Sequence, residues 1–539
     1  MRSRRMSLRA AQGKKHKVLV VCAHLRPGRT KRRSRHYLQP LSGLHIASLI
    51  DERDFDVQLY HEDWHGPYDT RRQNAYDIVF LTGLQADFDR MRQLSYHFRQ
   101  RDAVIVAGGS ICTLFPEFAT RFFDVVCAGG VDMVRTIVAD FLRDDLKAIY
   151  RSPQTKISNY NVDYSHFKKS GINPVAHLIE ASRGCSFRCS FCVIPAEGAS
   201  HTKYELATVA EAIDNAIESS PYFSFRRWYP IIFFLDNNFS YDRGRLIELA
   251  EFLQGHKKVR AWGAMMTQDA LQDRELVDRL AASKCFAIFV GLESLDRDVL
   301  RRFNKKQNLS RRGNIVDDIV YAESKGLCVM YGYLFDPRSH AVEQMKAQIA
   351  TLERAAPLPM PIYFSLFLPL AGTASFWDDV FAGELRPNLR LRDLDGETIA
   401  YSRLADEVDD VTKFVEAFNR TPSLLVDRSR VLLGTLKRLW NSATLNPVQW
   451  YLVWATNFRM FIWARSYPSE RQTYLAGEDI LDPQYFEYPE DISDEDRKTY
   501  FEPISLTDDQ GRLSEWLEPY VPGHLNRRSS VKAAASQMG

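Results

Sequence analysis

Twice along this chain of 539 residues, short apolar segments alternate with segments of helical spacing, and most of the apolar ones end in glycine or polar residues. Apolar runs bounded by turn residues read as buried strands, and apolar positions three and four apart read as helices. Strands that alternate with helices lie parallel, because each helix returns the chain to the same edge of the sheet. The pattern predicts an α/β protein with two parallel sheets, each offering a ligand-binding edge at the carboxyl ends of its strands.

In the first repeat, residues 18–22, 56–60, 77–81, 103–107 and 124–127 read as strands, and 41–50, 88–99 and 134–142 as helices. A loop rich in Gly, Pro and Arg covers 25–35. This is the order of a doubly wound domain over 17–145. Its fourth strand ends in Gly108-Gly109-Ser110 and its fifth in Gly129-Gly130, where glycine would let a ligand approach the backbone. A tight strand-to-helix turn would use the same residues.

In the second repeat, strands are expected at 177–180, 231–235, 259–266, 286–290, 327–334 and 362–368, with helices at 206–219, 245–253, 275–282 and 296–302. Six parallel strands with crossover helices fit a partial (β/α)6 barrel over 177–380. Directly after its first strand come Cys185, Cys189 and Cys192, spaced by three residues and then two. Three thiolates can hold three irons of a 4Fe-4S cluster and leave the fourth iron open to a ligand. A structural zinc knot needs a fourth ligand, usually from a second Cys or His pair, and none is offered. The other cysteines, Cys22, Cys112, Cys127, Cys285 and Cys328, are isolated from one another. With no paired spacing and an oxygen-sensitive cluster, the expected compartment is a reducing cytoplasm.

The 71 basic and 68 acidic residues leave a net charge of +3, which does not point to nucleic acid. Arg2, Arg4, Arg5, Arg9, Lys14 and Lys15 make 1–16 a basic tail, expected to be disordered, with no apolar run behind it to act as a secretory signal or membrane span. Residues 146–176 read as a polar linker with Ser152-Pro153 and Asn159. Residues 381–539 read as a mainly helical C-terminal region without cysteine, hence without an auxiliary cluster, and as a possible substrate lid. Within it Trp450, Trp454, Phe458 and Phe461 recur at helical spacing, as core packing, a lid or a membrane-surface contact would.

The cysteine spacing, with Phe191 before the last cysteine, resembles the radical S-adenosylmethionine (SAM) superfamily. The glycine-ended order of the first repeat, the phrase 286–295 with Asn304-Lys305 after it, and Pro369-Leu-Ala-Gly-Thr373 resemble its cobalamin-binding branch, the class B methyltransferases and their relatives. That resemblance spans about residues 17–380 and implies a 4Fe-4S cluster, SAM and cobalamin as cofactors. It implies that Asp236, Asn237 and Asn238 meet the SAM amino group, Glu293 and Ser294 the ribose, and the backbone at Gly332 and Tyr333 the adenine. Gly108, Gly109 and Ser110 would line the cobalamin edge. The His24 position departs from the Asp-x-His-x-x-Gly pattern of domains that ligate cobalt, and Asp63-Trp64-His65 lacks the glycine at the right spacing. The activity implied is cobalamin-dependent methylation of an unactivated carbon in a small-molecule or lipid-like substrate, with a reductant such as flavodoxin or ferredoxin. A radical oxidoreductase or cyclase with a vestigial cobalamin domain, and a noncatalytic iron-sulfur protein, are the alternatives.

Overall fold

Val18, Leu19, Val20 and Val21 are fully buried in succession, as in a parallel strand covered on both faces. They belong to β1 (His16–Cys22), which lies between β2 (Phe55–His61) and β3 (Ile78–Gly83). β4 (Val104–Gly109), β5 (Val125–Ala128) and β6 (Ile149–Arg151) complete a sheet of order β2-β1-β3-β4-β5-β6, parallel throughout. The chain reverses its direction of travel across the sheet between β1 and β3, the place where doubly wound folds open a ligand crevice. The computed structural model describes residues 14–25, 40–72, 74–152, 160–174, 176–309, 315–354, 363–420, 473–478 and 488–525, with Ser429, Leu433, Leu436 and Trp440. The tail before 14, most of the 25–35 loop, Pro153, Asn159 and the aromatic run from Trp450 to Phe461 lie outside the described residues.

The segment read as a linker differs from expectation. It supplies β6 to the first sheet and the helix Ser165–Lys169. β6 is three residues long with Tyr150 alone fully buried, too short and polar for an alternating pattern to register.

The second sheet contains β7 (His177–Ile179), β8 (Ile231–Phe234), β9 (Ala261–Met266), β10 (Cys285–Glu293), β11 (Cys328–Phe335) and β12 (Tyr363–Leu366). They stand in sequence order and are parallel, a six-stranded open barrel wall. β10 runs three residues past the expected end, through a register shift between Val290 and Glu293, and Glu293 takes φ 63°. That bend re-aims the strand end.

Beyond 381 the described residues include the helices Val408–Arg420 and Asp494–Tyr500 and extended segments that return to the first domain. Leu389, Leu391, Tyr401, Leu506 and Leu517 share one core with Val79, Leu81, Phe88 and Phe115. Arg92, Asp89 and Arg392, all nearly inaccessible, form an ion triad across that contact. Among the described residues no helix is long and apolar enough to cross a membrane.

Candidate active site

The cysteine loop leaves the carboxyl end of β7 and returns through a short antiparallel ladder, Ser182–Arg183 on Thr202–Lys203. Gly184 has φ 77°, and a side chain there would collide with the Ser200 carbonyl, so the loop closes only with glycine at this place. β8 then clamps the loop. Asp236 accepts hydrogen bonds from the Ala181 N–H at 2.9 Å and the Ser182 hydroxyl at 2.5 Å. Asn237 Oδ1 accepts from the Gly184 N–H at 3.0 Å, and Asn238 Nδ2 donates to Cys185 Sγ at 3.8 Å. Burial pushes the Asp236 carboxyl up to about 7.

The other side of the loop is held by the segment after β10. Gln307 Nε2 donates to Cys189 Sγ at 3.5 Å, and Ser190 N–H donates to the Phe303 carbonyl at 3.0 Å. Lys305, nearly buried, pairs with Glu293 and stands 5.8 Å from the centre of the Phe191 ring. Burial raises the Cys192 thiol to about 11, against the opposing pull of the Ile194 backbone N–H and, less, of the Lys305 ammonium. The three cysteines are thus free, half-exposed thiols gathered on one loop with amide donors and one ammonium around them.

The first domain reaches this loop with its own carboxyl edge. Ser110, just after β4, hydrogen-bonds Glu197, whose carboxyl burial raises above the usual range. Gln85, just after β3, exchanges two 2.9 Å hydrogen bonds with the Ala371 backbone beyond β12. His45, in the helix after β1, bonds the Tyr160 hydroxyl and stands 3.4 Å from Glu180, which pairs with Arg183 at 2.8 Å. Asp132, after β5, lies 3.8 Å from Arg183. Every one of these first-domain residues follows a strand's carboxyl end, so the two sheets meet edge to edge across the cysteine loop.

The expected ligand residues all have partners within the chain. Asp236 has both oxygens engaged by the cysteine loop. Ser294 is buried with its hydroxyl accepting from the Asp296 N–H at 3.1 Å. Tyr333 is fully buried, its hydroxyl between the Leu295 N–H and Gln348, both at 3.1 Å, and Gly332 lies within β11 beside Tyr363. Glu293 remains at the edge with Lys305. Gly109 has φ 107°, and a Cβ there would stand 2.6 Å from the Gly83 carbonyl, so this glycine answers to the neighbouring strand. Gly108 and Ser110 are half-buried at the edge, and Leu84 beside them is 74% exposed. His24 lies between Asp63 and Asp87, at 3.7 and 3.6 Å, and His65 is engaged by the carbonyls of His61 and Ser170. Glu197, Gln307 and Gln85 were not singled out by sequence; Gln307 and Glu197 lie within five residues of the marked Lys305 and Cys192, the one clue available.

The donor chemistry separates a cluster from a single ion. Among the described residues, the triad of potential ligand atoms all within 4.8 Å of one another is Glu52, Asp163 and His166, not the three cysteines. Tetrahedral zinc with bonds of about 2.3 Å needs its sulfurs about 3.8 Å apart, so the wider cysteine set fits a multi-iron cluster better.

Fold and loop together define an open α/β barrel with a three-cysteine loop behind its first strand, and residues 179–339 match the radical SAM superfamily family model. This part of the chain is a radical SAM domain. The chain is 24% identical over 347 residues to the bacteriochlorophyllide d C-8(2)-methyltransferase of Chlorobaculum tepidum, covering 62% of this chain and 72% of that protein. It is 23% identical to the C-12(1)-methyltransferase of the same organism, covering 78% and 88%. Among solved structures, the cobalamin-dependent SAM radical enzyme OxsB with aqua-cobalamin bound superposes with TM-score 0.55 at 16% identity, over 84% of this chain and 76% of that one. The radical SAM methyltransferase TsrM of Kitasatospora setae, with cobalamin and a [4Fe-4S] cluster bound, gives 0.53 at 14%, over 83% and 99%. These likenesses establish the two-sheet fold.

Proposed function

We propose that this protein is a radical SAM enzyme that methylates an unactivated carbon of a small-molecule substrate with the help of cobalamin. The observation that carries this reading is the meeting of two carboxyl edges across the cysteine loop, seen in the Ser110–Glu197 and Gln85–Ala371 contacts. A ligand on the first sheet's edge and a cluster on the loop would then face one common cleft. When bound, the cluster and SAM supply a 5'-deoxyadenosyl radical, and cobalamin supplies the methyl group.

In this reading Cys185, Cys189 and Cys192 hold three irons, and the amides of Asn238 and Gln307 donate to the sulfurs of Cys185 and Cys189. Such hydrogen bonds stabilise charge on ligating sulfur and tune its potential. Asp236 and Asn237 act one step back, fixing the start of the loop. Lys305 and Glu293 form the charged pair at the strand end, suited to the zwitterionic portion and hydroxyls of SAM. Gly108, Ser110 and exposed Leu84 offer cobalamin a backbone edge with one apolar contact. Glu197 places a carboxyl of raised proton affinity between the two edges, where it can hold a proton near substrate. The electron comes from a one-electron reductant such as flavodoxin or ferredoxin, in a reducing cytoplasm.

The test is anaerobic reconstitution with iron, sulfide and cobalamin, followed by assay with dithionite and SAM. About four irons per chain, bound cobalamin and release of 5'-deoxyadenosine are expected. A chain that binds the cluster and releases 5'-deoxyadenosine without retaining cobalamin would move the reading to a radical oxidoreductase or cyclase. A chain without a SAM-responsive cluster would overturn it.

A further inference from the structure

The cysteine loop and both ligand edges lie at the carboxyl ends of the strands. The opposite, amino-terminal end of the second sheet carries a different chemistry. The turn into β8, residues 219–230, holds five aromatic residues, two arginines and no acid. Phe223 at its tip is 95% exposed, Tyr222 60% and Trp228 61%. These rings pack on one another: Tyr222 meets Phe223 and Trp228, each at 5.3 Å between ring centres. Trp228 Nε1 donates to the Tyr222 carbonyl at 2.8 Å, and Arg227 donates to the carbonyls of Glu218 and Ser220, so the turn is braced by its own groups. Three large rings exposed together add little to the barrel's core and mark a contact surface.

Cations surround this tip. Arg226 donates to the Pro174 carbonyl and the Ser220 hydroxyl, its Nε is buried without a partner, and it lines a cavity of about 240 Å3 together with Lys168. The turns into β7 (168–176) and β9 (256–260), the strands that flank β8, also lack Asp and Glu. They carry Lys168, Lys257 and Arg260, all exposed. The Arg260 N–H donates to the Pro230 carbonyl at 3.0 Å, which joins that turn to the aromatic one. Among the described residues, Lys168, Arg226, Arg227, Lys257 and Arg260 have no carboxylate partner. The acids that reach these turns, Glu52, Asp214 and Glu218, are held by Lys169 and Lys258. The face therefore keeps a positive excess on a chain whose overall charge is only +3.

We propose that this amino-terminal face docks on an anionic lipid surface, with Tyr222, Phe223 and Trp228 entering the headgroup layer and the surrounding Arg and Lys side chains meeting lipid phosphates. Aromatic rings with a polar edge favour the boundary between headgroups and acyl chains, and each cation near an anionic surface strengthens binding about fivefold. A second copy of the chain is a poorer occupant. A two-fold contact sets the patch against itself and brings Arg226 and Arg227 toward their own counterparts, whereas a bilayer supplies the missing negative charge. Among the described residues no helix can cross a membrane, so the contact argued from them is peripheral. The docked chain keeps its cysteine loop and both ligand edges a strand's length from the lipid, open to the aqueous side. Docking is thus independent of the reaction that the cysteines serve.

The experiment sediments the full-length protein with vesicles of phosphatidylcholine alone or mixed equally with phosphatidylglycerol. Binding to the mixed vesicles, weakening as salt rises, is expected. The double variant Tyr222→Ser, Phe223→Ser and the triple variant Lys168→Glu, Lys257→Glu, Arg260→Glu should each lower the partition coefficient at least about tenfold. Arg71→Glu, Arg72→Glu, Lys413→Glu changes net charge equally at exposed positions elsewhere and should leave it within about twofold of wild type. Phe223→Trp keeps the aromatic tip; it should retain binding and add emission that chain-brominated lipid quenches. Failure of wild type to sediment with the mixed vesicles, equal binding by the Ser variant, or unquenched emission from Phe223→Trp would overturn the docking surface. So would a concentration-dependent dimer that the Ser variant abolishes while vesicle binding is unchanged, which would assign the patch to self-contact.

Discussion

Asp236 illustrates how single residues hold the loop. Its carboxylate is buried and accepts from one backbone and one hydroxyl donor of the segment leading to Cys185. Asp236→Ala strands both donors without water, at about 1–3 kcal/mol each. Asp236→Asn keeps one acceptor oxygen, and the Ser182 hydroxyl can rotate to accept from the new amide. Denaturant unfolding of the cluster-free protein should therefore show a loss of several kcal/mol for Ala and a smaller one for Asn, with iron retention after reconstitution falling in the same order. Wild-type stability and iron content in the Ala variant would refute the clamp. The three cysteines were legible because ligand spacing is a property of the sequence itself. Asp236, Asn237 and Asn238 were legible as polar residues at a strand end, but their target was not: position along a strand does not tell which side of the edge a side chain takes. Gln85, Gln307 and Glu197 carry no pattern, and their partners, Ala371, Cys189 and Ser110, are distant in sequence.

Two adjacent glycines at the end of β4 make an element-scale comparison. A methyl group at 109 would press on the Gly83 carbonyl of β3 at φ 107°, whereas at 108 the nearest atom is the Cys127 carbonyl at 3.7 Å, an ordinary contact. Gly109→Ala should cost about 3 kcal/mol or more from backbone strain and overpacking together, and Gly108→Ala less than about 1 kcal/mol. Thermal unfolding of the two variants checks this ordering; equal shifts would show that β3 and β4 tolerate separation. If Gly108 also lies against cobalamin, its Ala variant should lose cobalamin retention while keeping stability, the reverse of a packing glycine. Strands and helices were read well where burial is regular: the helices Phe88–Arg99 and Val134–Leu142 have the expected bounds. One was missed where the element is short, as in β6, and an end was set too early where the strand bends, as in β10, since a bulge breaks the alternation on which the reading depends.

At the scale of the molecule, the chain ties its distant parts with buried charge. Asp89 accepts from Arg92 at 2.8 Å, Arg392 at 2.7 Å and the Ile504 N–H at 3.2 Å, joining three remote segments. Removing the carboxylate leaves two buried guanidinium groups facing each other, so Asp89→Ala should cost about 3–5 kcal/mol and expose the 488–525 segment to proteolysis before the barrel. Limited digestion with fragment mapping reads that order; loss of both parts together would show that the contact is not a separate seam. The second seam, between the two carboxyl edges, is where His45 makes the pH dependence calculable. Its neighbours are Tyr160, Glu180, Arg183 and Asp132, and burial holds its imidazole down to about 4 despite Glu180. Glu180 itself, although burial works against it, is held below the usual carboxylate range by Arg183 and His45. Folded His45 is neutral while the unfolded chain takes a proton below about 6.5, so its stabilisation is complete above that pH and declines as pH falls toward about 4. The loss approaches about 1.4 kcal/mol per pH unit. His45→Gln removes this one dependence, while buried His61, His97 and His177 contribute equally to both proteins. The stability difference between wild type and variant should therefore shrink by about 2 kcal/mol between about pH 7 and pH 5. Parallel stability curves over that interval would mean that the seam opens before His45 gains its proton, and that the edges meeting over the cysteines are held by the Gln85 and Ser110 contacts instead.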